Sequence, residues 1–314
     1  MHKDDGYISY IINPKSGASS GKHMVAKFND YLRKKGYDVR TCFTKSLDHA
    51  REMAEDAGRS EDCQMVAVAG GDGTARDVIH GLEGSGKPLM VIPCGTENLL
   101  ANELGYDVKT KTLIKAFEGG ETRSLDLGCA NGQHFTSIAG FGFDGEVVHR
   151  VNMERSGHIN HLDYFWPMWR TLWEHKYPNF KLTVDGEEIF EGCGLIFVGN
   201  ISRYAVGLEL LHYADYSDGL LDVCFYKCNS RLHLAKHSVT SILKIHSDMS
   251  DVVYRQGKVI EISSSDEGVY SELDGDPGPD LPVKIEVIPQ AVNVIVPPGA
   301  KPAGIRTRLL RIIG

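Results

Sequence analysis

The apolar positions fall into two regimes along the chain. Over the first 125 residues, short continuous apolar runs alternate with stretches of helical spacing. The runs at 7–13 (YISYIIN), 37–44, 64–70 and 88–95 predict buried strands. Residues 19–36 carry Met24, Phe28, Tyr31 and Leu32 at helical spacing and stop at Gly36, while 47–58, 73–84, 96–105 and 110–120 read as further helices. Strands that are apolar throughout and separated by helices form a parallel sheet covered on both faces. Ligands of such sheets bind at the carboxyl ends of the strands.

Beyond this region the pattern changes. Residues 124–140 read as a hairpin with Asn131-Gly132 as its turn. A helical stretch over 144–176 follows, and then strands dominate, interrupted by a helix at 233–246. The fold class expected is α/β in two domains: a parallel α/β domain over 1–126 and a mostly antiparallel domain over 127–296. The tail 297–314 is expected to dock on the first domain; a basic membrane contact through Lys301, Arg306, Arg308 and Arg311 is the alternative.

The 314 residues suit two domains. With 34 Lys and Arg against 42 Asp and Glu, the net charge of -8 argues against a nucleic-acid partner. No apolar run is long enough to span a bilayer, and the polar start, MHKDDG, predicts no secretory leader. Seven cysteines, an odd number without a CxxC pair, predict free thiols and a reducing, cytoplasmic location.

Candidate chemistry concentrates in three loops that follow predicted strands: Asn13-Pro14-Lys15-Ser16-Gly17, Gly70-Gly71-Asp72-Gly73-Thr74, and Pro93-Cys94-Gly95-Thr96-Glu97-Asn98. Glycines let backbone N–H groups approach phosphate oxygens, and a following helix N-terminus adds its positive dipole end. Thr74 and Thr96 add hydroxyls, and Asp72 suits a phosphate site only if it holds Mg²⁺ or a ribose hydroxyl. Each loop alone also reads as a simple turn; three on one sheet edge point to phosphate. The stretch before Lys22 lacks the spacing of a P-loop.

NPKSG, GGDGT and GTEN, in this order, resemble the diacylglycerol kinase catalytic-domain family, which includes bacterial soluble lipid kinases, sphingosine kinases and ceramide kinases. The resemblance continues through LDLG (125–128), FTSIAGFGFDGEVV (135–148), IFVGN (196–200), ADYSDGLLDV (214–223) and ELDGDPGPDLPVKIEVIP (272–289). It implies a nucleotide-binding α/β domain and a β-sandwich-like domain with the active site in the cleft between them. It implies ATP as donor, Mg²⁺, and a lipid hydroxyl as acceptor. By matching position, Asn13, Thr44, Gly70, Gly71, Asp72, Gly73, Thr74 and Thr96 line the nucleotide site, and Asn98 braces its loop or contacts the acceptor side. Asp276 takes the place of the Glu in the family's DGE motif and is the implied general base, with Asp72 the competing candidate. Asp215, Asp218 and Leu220 resemble a structural Mg²⁺ site; a plain turn at Asp218-Gly219 is the alternative. The chain departs from the family at Leu99, where many relatives have Asp, and at Ala75-Arg76-Asp77 after GGDGT.

Trp166, Trp169 and Trp173 share one helix face. Ordinary packing between domains is the reading taken; a lip over a lipid pocket or an interfacial anchor is the alternative. His233 and His237, like His158 and His161, read as surface or packing residues, and Arg203 as a weak phosphate candidate beside Tyr204. The function expected is an ATP-dependent lipid kinase that visits membranes transiently and is compatible with a homodimer. The rivals are an NAD-kinase-like enzyme and a catalytically silent lipid- or nucleotide-binding module.

Overall fold

The computed structural model describes residues 6–16, 19–153 and 161–300, so Gly17, His158 and the tail from Lys301 lie outside the described residues. The chain divides into two compact units. The first comprises the described residues up to Asp126, Ala205–Gly207 and those from Pro289 onward; the second holds Leu127–Tyr204 and Leu208–Ile288.

The first unit alternates β1 (Tyr7–Ile12), α1 (Ser19–Lys34), β2 (Asp38–Phe43), α2 (Leu47–Arg59), β3 (Cys63–Gly70), α3 (Asp72–Leu82), β4 (Pro88–Pro93), α4 (Leu99–Glu103) and α5 (Thr110–Gly119). Its sheet runs β2-β1-β3-β4 in parallel, and the end of strand Val283–Val296 adds a fifth parallel strand beside β4. β3 is buried from Met65 to Gly70, because helices cover both sheet faces. Phe28 of α1 meets Tyr10 of β1 and Phe117 of α5, while α2 buries Ala50, Ala54 and Ala57. The helix expected over 96–105 shortens to Leu99–Glu103, because Asn98 sits in the left-handed region at φ 51°.

The second unit follows with β5 (Glu121–Ala130), β6 (Gln133–Phe135), β7 (Ile138–Phe141), α6 (Phe143–Met153), α7 (His161–Glu174), β8 (Asn179–Val184), β9 (Glu187–Gly199), β10 (Arg203–Tyr204), β11 (Leu208–Glu209), β12 (Leu221–Lys227), α8 (Arg231–Ile242), β13 (Val252–Gly257), β14 (Val259–Ser264), β15 (Ser271–Leu273), β16 (Asp276–Pro277) and β17 (Val283–Val296). β5 leads the chain out of the first unit and β17 leads it back. Asn131 and Gly132, both at positive φ, make the β5–β6 turn.

The long β9 serves two antiparallel sheets. Its first half pairs with β8, beside β14 and β17; from Gly194 it pairs with β12, and from Ile196 also with β7. The inner faces of the two sheets share one core, with Phe180, Ile260 and Ile285 on one side and Phe141, Val198 and Phe225 on the other. β8 and β14 alternate buried and exposed, as a sheet with one wet face must. β12, and β9 from Gly194 onward, are buried on both faces, since Leu195, Phe197, Cys224 and Tyr226 enter a second core with Leu234 of α8. That is why LIFVG and LLDVCFY read as continuous apolar runs although their sheet is antiparallel.

The second core also buries His212, whose ring lies 4.4 Å from that of His246. Burial, followed by the charge of His246, brings His212 down from the ordinary value of 6.5 to about 4. The folded state therefore refuses a proton that the unfolded chain accepts. The neutral ring's stability is fully present above pH 6.5 and is lost as pH falls toward 4. Lowering pH from 7 to 5 is expected to cost about 1–2 kcal/mol after allowance for solvent screening. Urea midpoints check this, with His212→Gln flattening the dependence; equal slopes for both proteins exclude His212 as the source.

Candidate functional site

In the order β2-β1-β3-β4, the connections leaving β1 and β3 diverge, which opens a crevice at their carboxyl ends. The register places the three glycine-bearing loops side by side there. Ile12 pairs with Ala69 and Gly70 with Pro93. Each loop continues its ladder by one bond: Thr44 N donates to Ile12 O, Asn13 N to Ala69 O, and Cys94 N to Gly70 O, all at 2.9 Å.

Side chains then tie the loops together. Asn13 Nδ2 donates to Thr74 Oγ1 at 2.9 Å, and Lys15 N donates back to Asn13 Oδ1 at 3.0 Å. Gly70 ends β3, Gly71 precedes α3 as its N-cap, and Asp72, Gly73 and Thr74 form its first turn. Asp72 Oδ1 accepts from Leu100 N at 3.2 Å, so it caps α4 from the neighbouring loop. Asn98 closes on its own loop instead: Gly95 N donates to its Oδ1 at 2.6 Å, and its Nδ2 donates to Gly95 O at 2.9 Å. Asparagine tolerates the left-handed backbone this closure requires.

Gly71 and Gly95 meet backbone to backbone. A Cβ on Gly95 would stand 2.6 Å from Gly71 Cα, a contact no side-chain rotation relieves. Gly95→Ala is therefore expected to separate the two loops and cost about 1–3 kcal/mol. Thermal melting checks this, and an unchanged midpoint would show that the loops are not packed.

Thr44 and Thr74 are buried and Thr96 is exposed, so the hydroxyl of Thr74 acts as a link between loops. The arrangement presents the N-terminal N–H groups of α3, which have no intrahelical carbonyl to meet, beside a single capping carboxylate. A Mg²⁺ that accompanies phosphates keeps several waters and takes one or two carboxylates. Asp72 fits that modest demand.

The second unit carries its own acidic cluster. Asp274 and Gly275 turn with φ of 51° and 83°, and Leu273 pairs with Asp276 across them. The hairpin turn is thus what Asp274 forms. Its carboxylate accepts four bonds: Oδ1 from Ser137 N and Ile138 N, Oδ2 from Thr136 N and Thr136 Oγ1, at 2.8–3.1 Å. Asp276, half-buried, begins β16 directly beyond this anchored turn.

Beneath the turn lies a carboxyl pair to which the sequence assigned no role. Glu272 of β15 is buried and Asp144 of α6 is half-buried with its Oδ2 enclosed, and the two close on each other over Gly140, where a Cβ would meet Asp144 Oδ2 at 2.5 Å and Glu272 Oε1 at 2.8 Å. Glu272 Oε2 accepts from Gly275 N at 2.7 Å, and Tyr204 OH donates to Asp144 Oδ1. Burial pushes both carboxyls up, and the neighbouring charge of Asp144 adds to the rise at Glu272, so the pair retains a proton. Both residues lie in motifs already singled out, FGFDGEVV and ELDGD, but only the pairing of β7 with β15 brings them together.

At the segment resembling a metal site, Asp215 Oδ1 accepts from Ser217 N and Oγ, and Asp218 Oδ1 from Leu220 N. Each is a turn in which the carboxylate binds backbone two residues on. Among the described residues no three His, Cys, Asp or Glu side chains group around a point where an ion could sit. Arg203 lies in the short β10–β11 ribbon, His237 is buried with Nε2 3.0 Å from Lys227 O, and His233 is exposed. The tryptophans depart from the packing expectation: Trp166, Trp169 and Trp173 are 62%, 47% and 52% exposed. The inner face of their helix is supplied by other residues, Thr171 and Leu172 among them.

Comparison with known proteins bears on these observations. The family model described as the diacylglycerol kinase catalytic domain matches residues 8–130. The one described as the YegS C-terminal NAD kinase beta sandwich-like domain matches residues 137–296. The chain is 30% identical over 299 residues to the diacylglycerol kinase of Mycobacterium tuberculosis, across 93% of this chain and 96% of that one. It is 26% identical over 293 residues to the diacylglycerol kinase of Bacillus subtilis, across 91% and 95%. A crystal structure described as a diacylglycerol kinase from Bacillus anthracis shares the fold, with a TM-score of 0.70 at 20% identity over 95% of this chain and 100% of that one.

Proposed function

The chain belongs to the diacylglycerol kinase catalytic-domain family, and on that premise we propose that it transfers the γ-phosphate of ATP to the hydroxyl of a diacylglycerol or closely related lipid. The observation that carries the reading is the fastening of three glycine-bearing loops at one sheet edge by Asn13–Thr74, Asp72–Leu100 and the Gly71–Gly95 contact. Phosphoryl transfer depends mainly on positioning and charge stabilisation. Fixed backbone N–H groups beside a helix N-terminus provide both for a polyphosphate.

In this reading Asn13, Thr44, Gly70 to Thr74 and Thr96 bind the nucleotide. Asp72, which also keeps α4 in place through Leu100 N, would hold Mg²⁺. Such an ion would supply positive charge to offset that of the nucleotide phosphates. Asp276 accepts the proton of the acceptor hydroxyl as that oxygen bonds to the γ-phosphorus and the bond to the bridging oxygen breaks, releasing ADP. The proton-sharing Asp144–Glu272 pair and the four-bonded Asp274 hold the turn that presents Asp276. Among the described residues no helix is long and apolar enough to cross a membrane. In this reading the lipid acceptor is met by transient surface contact.

Radiolabelled ATP tests the reading with dioleoylglycerol in mixed micelles and, in parallel, with NAD⁺. Labelled phosphatidic acid is the expected product. Label in the dinucleotide would favour an NAD-kinase-like enzyme, which the sandwich-like second unit brings to mind. ATP binding without transfer to either acceptor would favour a silent binding module.

A further inference from the structure

All three tryptophans of the chain stand on α7, and all three are exposed. Trp169 and Trp173 are in edge contact, with ring centroids 5.8 Å apart. The Arg231 guanidinium lies 4.3 Å from the Trp173 ring and donates to the Trp173 carbonyl at 2.7 Å. The end of α7 therefore abuts the start of α8.

α8 extends the same character. It buries Leu234, His237, Thr240 and Ser241. Its outer side carries Leu232, Val239 and Ile242, at 82%, 54% and 64% exposure, with Leu243 and Ile245 exposed just beyond. A surface helix ordinarily turns its apolar stripe inward. Single exposed apolar residues need no explanation, but a run of them beside three indoles marks an interaction surface. The charge points to the partner. From Ser230 to His246 the chain has Arg231, Lys236 and Lys244 and no Asp or Glu, and α7 has Arg170 with Asp163 and Glu174, so the two helices carry more basic than acidic residues although the whole chain carries -8. Lys236 and Lys244 pair with Asp251 and Glu209 at its edge, and Arg231 lies on the indole. Indoles favour the boundary between water and hydrocarbon, and apolar residues interleaved with basic ones favour anionic headgroups.

We propose that α7 and α8 form a docking face for an anionic lipid bilayer, with the indoles, Leu232 and Ile242 entering the headgroup layer and Lys236 and Lys244 exchanging their exposed ion pairs for lipid phosphates. The inference rests on the lipid-kinase reading and deepens it by naming the surface through which the lipid is met.

Because no tryptophan lies elsewhere, tryptophan emission excited selectively over the tyrosines reports this face alone. Vesicles of phosphatidylcholine with phosphatidylglycerol are expected to shift the emission of the full chain to the blue and to carry it up in flotation, and pure phosphatidylcholine vesicles to do so more weakly. Leu232→Asp with Ile242→Asp is expected to weaken vesicle binding by about tenfold or more. The same variant should phosphorylate a short-chain, water-soluble diacylglycerol at the wild-type rate. Unshifted emission without flotation, or equal vesicle binding by the variant, would overturn the proposal. So would a dimer in sedimentation that the same substitutions dissociate without any vesicle effect, which assigns the face to a second copy. Vesicle binding with no transfer to the soluble acceptor would instead count against the lipid-kinase reading alone.

Discussion

Asp276→Asn is expected to lower phosphoryl transfer by about 100- to 10,000-fold, the usual contribution of a positioned general base. That loss corresponds to roughly 3–5 kcal/mol of transition-state stabilisation. The amide matches the carboxylate in size but takes no proton. ATP binding should persist, because every loop bond from Asn13 to Asn98 is untouched. Melting should also stay within about 2–4 °C of wild type, the shift that 1 kcal/mol produces in a domain of this size. Single-turnover transfer from labelled ATP measures the first quantity and nucleotide-induced melting the other two. Asp72→Asn is the instructive partner. Its amide oxygen still accepts from Leu100 N, so the crevice keeps its shape, while the Mg²⁺ concentration needed for half-maximal rate should rise. If Asp276→Asn transferred phosphate at the wild-type rate and Asp72→Asn did not transfer at all, the base would be Asp72.

Asp274→Ala is expected to give the largest loss of stability, about 3–5 kcal/mol. Three backbone donors, the N–H groups of Thr136, Ser137 and Ile138, would lose their acceptor, as would the Thr136 hydroxyl. Those three residues are buried, so water does not easily replace the carboxylate. Each buried polar group left unsatisfied costs about 1–3 kcal/mol. Alanine also tolerates the left-handed backbone at φ 51° less well than aspartate. Asp274→Asn keeps the backbone preference and one good acceptor, so it should fall between the two. Urea denaturation of the three proteins checks the order. An alanine variant as stable as wild type would mean that the cradle contributes nothing, and with it the idea that the turn is held rigid for Asp276.

The alternation of apolar runs and helical spacing made the first unit legible, because a parallel sheet covered by helices buries whole strands and leaves an unmistakable pattern. Asn131-Gly132 was equally readable, since few residue pairs accept two consecutive positive φ values. Other features misled for definite reasons. Indoles at helical spacing read as packing, yet spacing only establishes that they share a face, not whether that face is covered. The sequence around Asn98 reads as one helix from 96, but hydrogen bonds to Gly95 hold that residue out of it. The apolar runs VKIEVIP and AVNVIVP form a single strand, β17, which passes Gln290 at φ 54° without ending.

At the candidate site the division follows the range of the interactions. Residue type and local order determine which segments turn tightly, which glycines free a backbone and which carboxylates stand near them. These are properties of a few consecutive residues, so Asp72 and the three loops could be picked out as candidates from the chain alone, whereas Asp276 became a candidate only through its resemblance to the family's DGE motif. The partners of those groups come from strands distant in sequence. The capping of α4 by Asp72 spans 28 positions, and the Asp274 cradle spans 136 to 138. The burial that makes Asp144 and Glu272 share a proton arises only when β7, β15 and α6 close over one another. Local chemistry is written residue by residue, whereas desolvation and hydrogen-bond partnership depend on what the folded chain brings within a few ångströms.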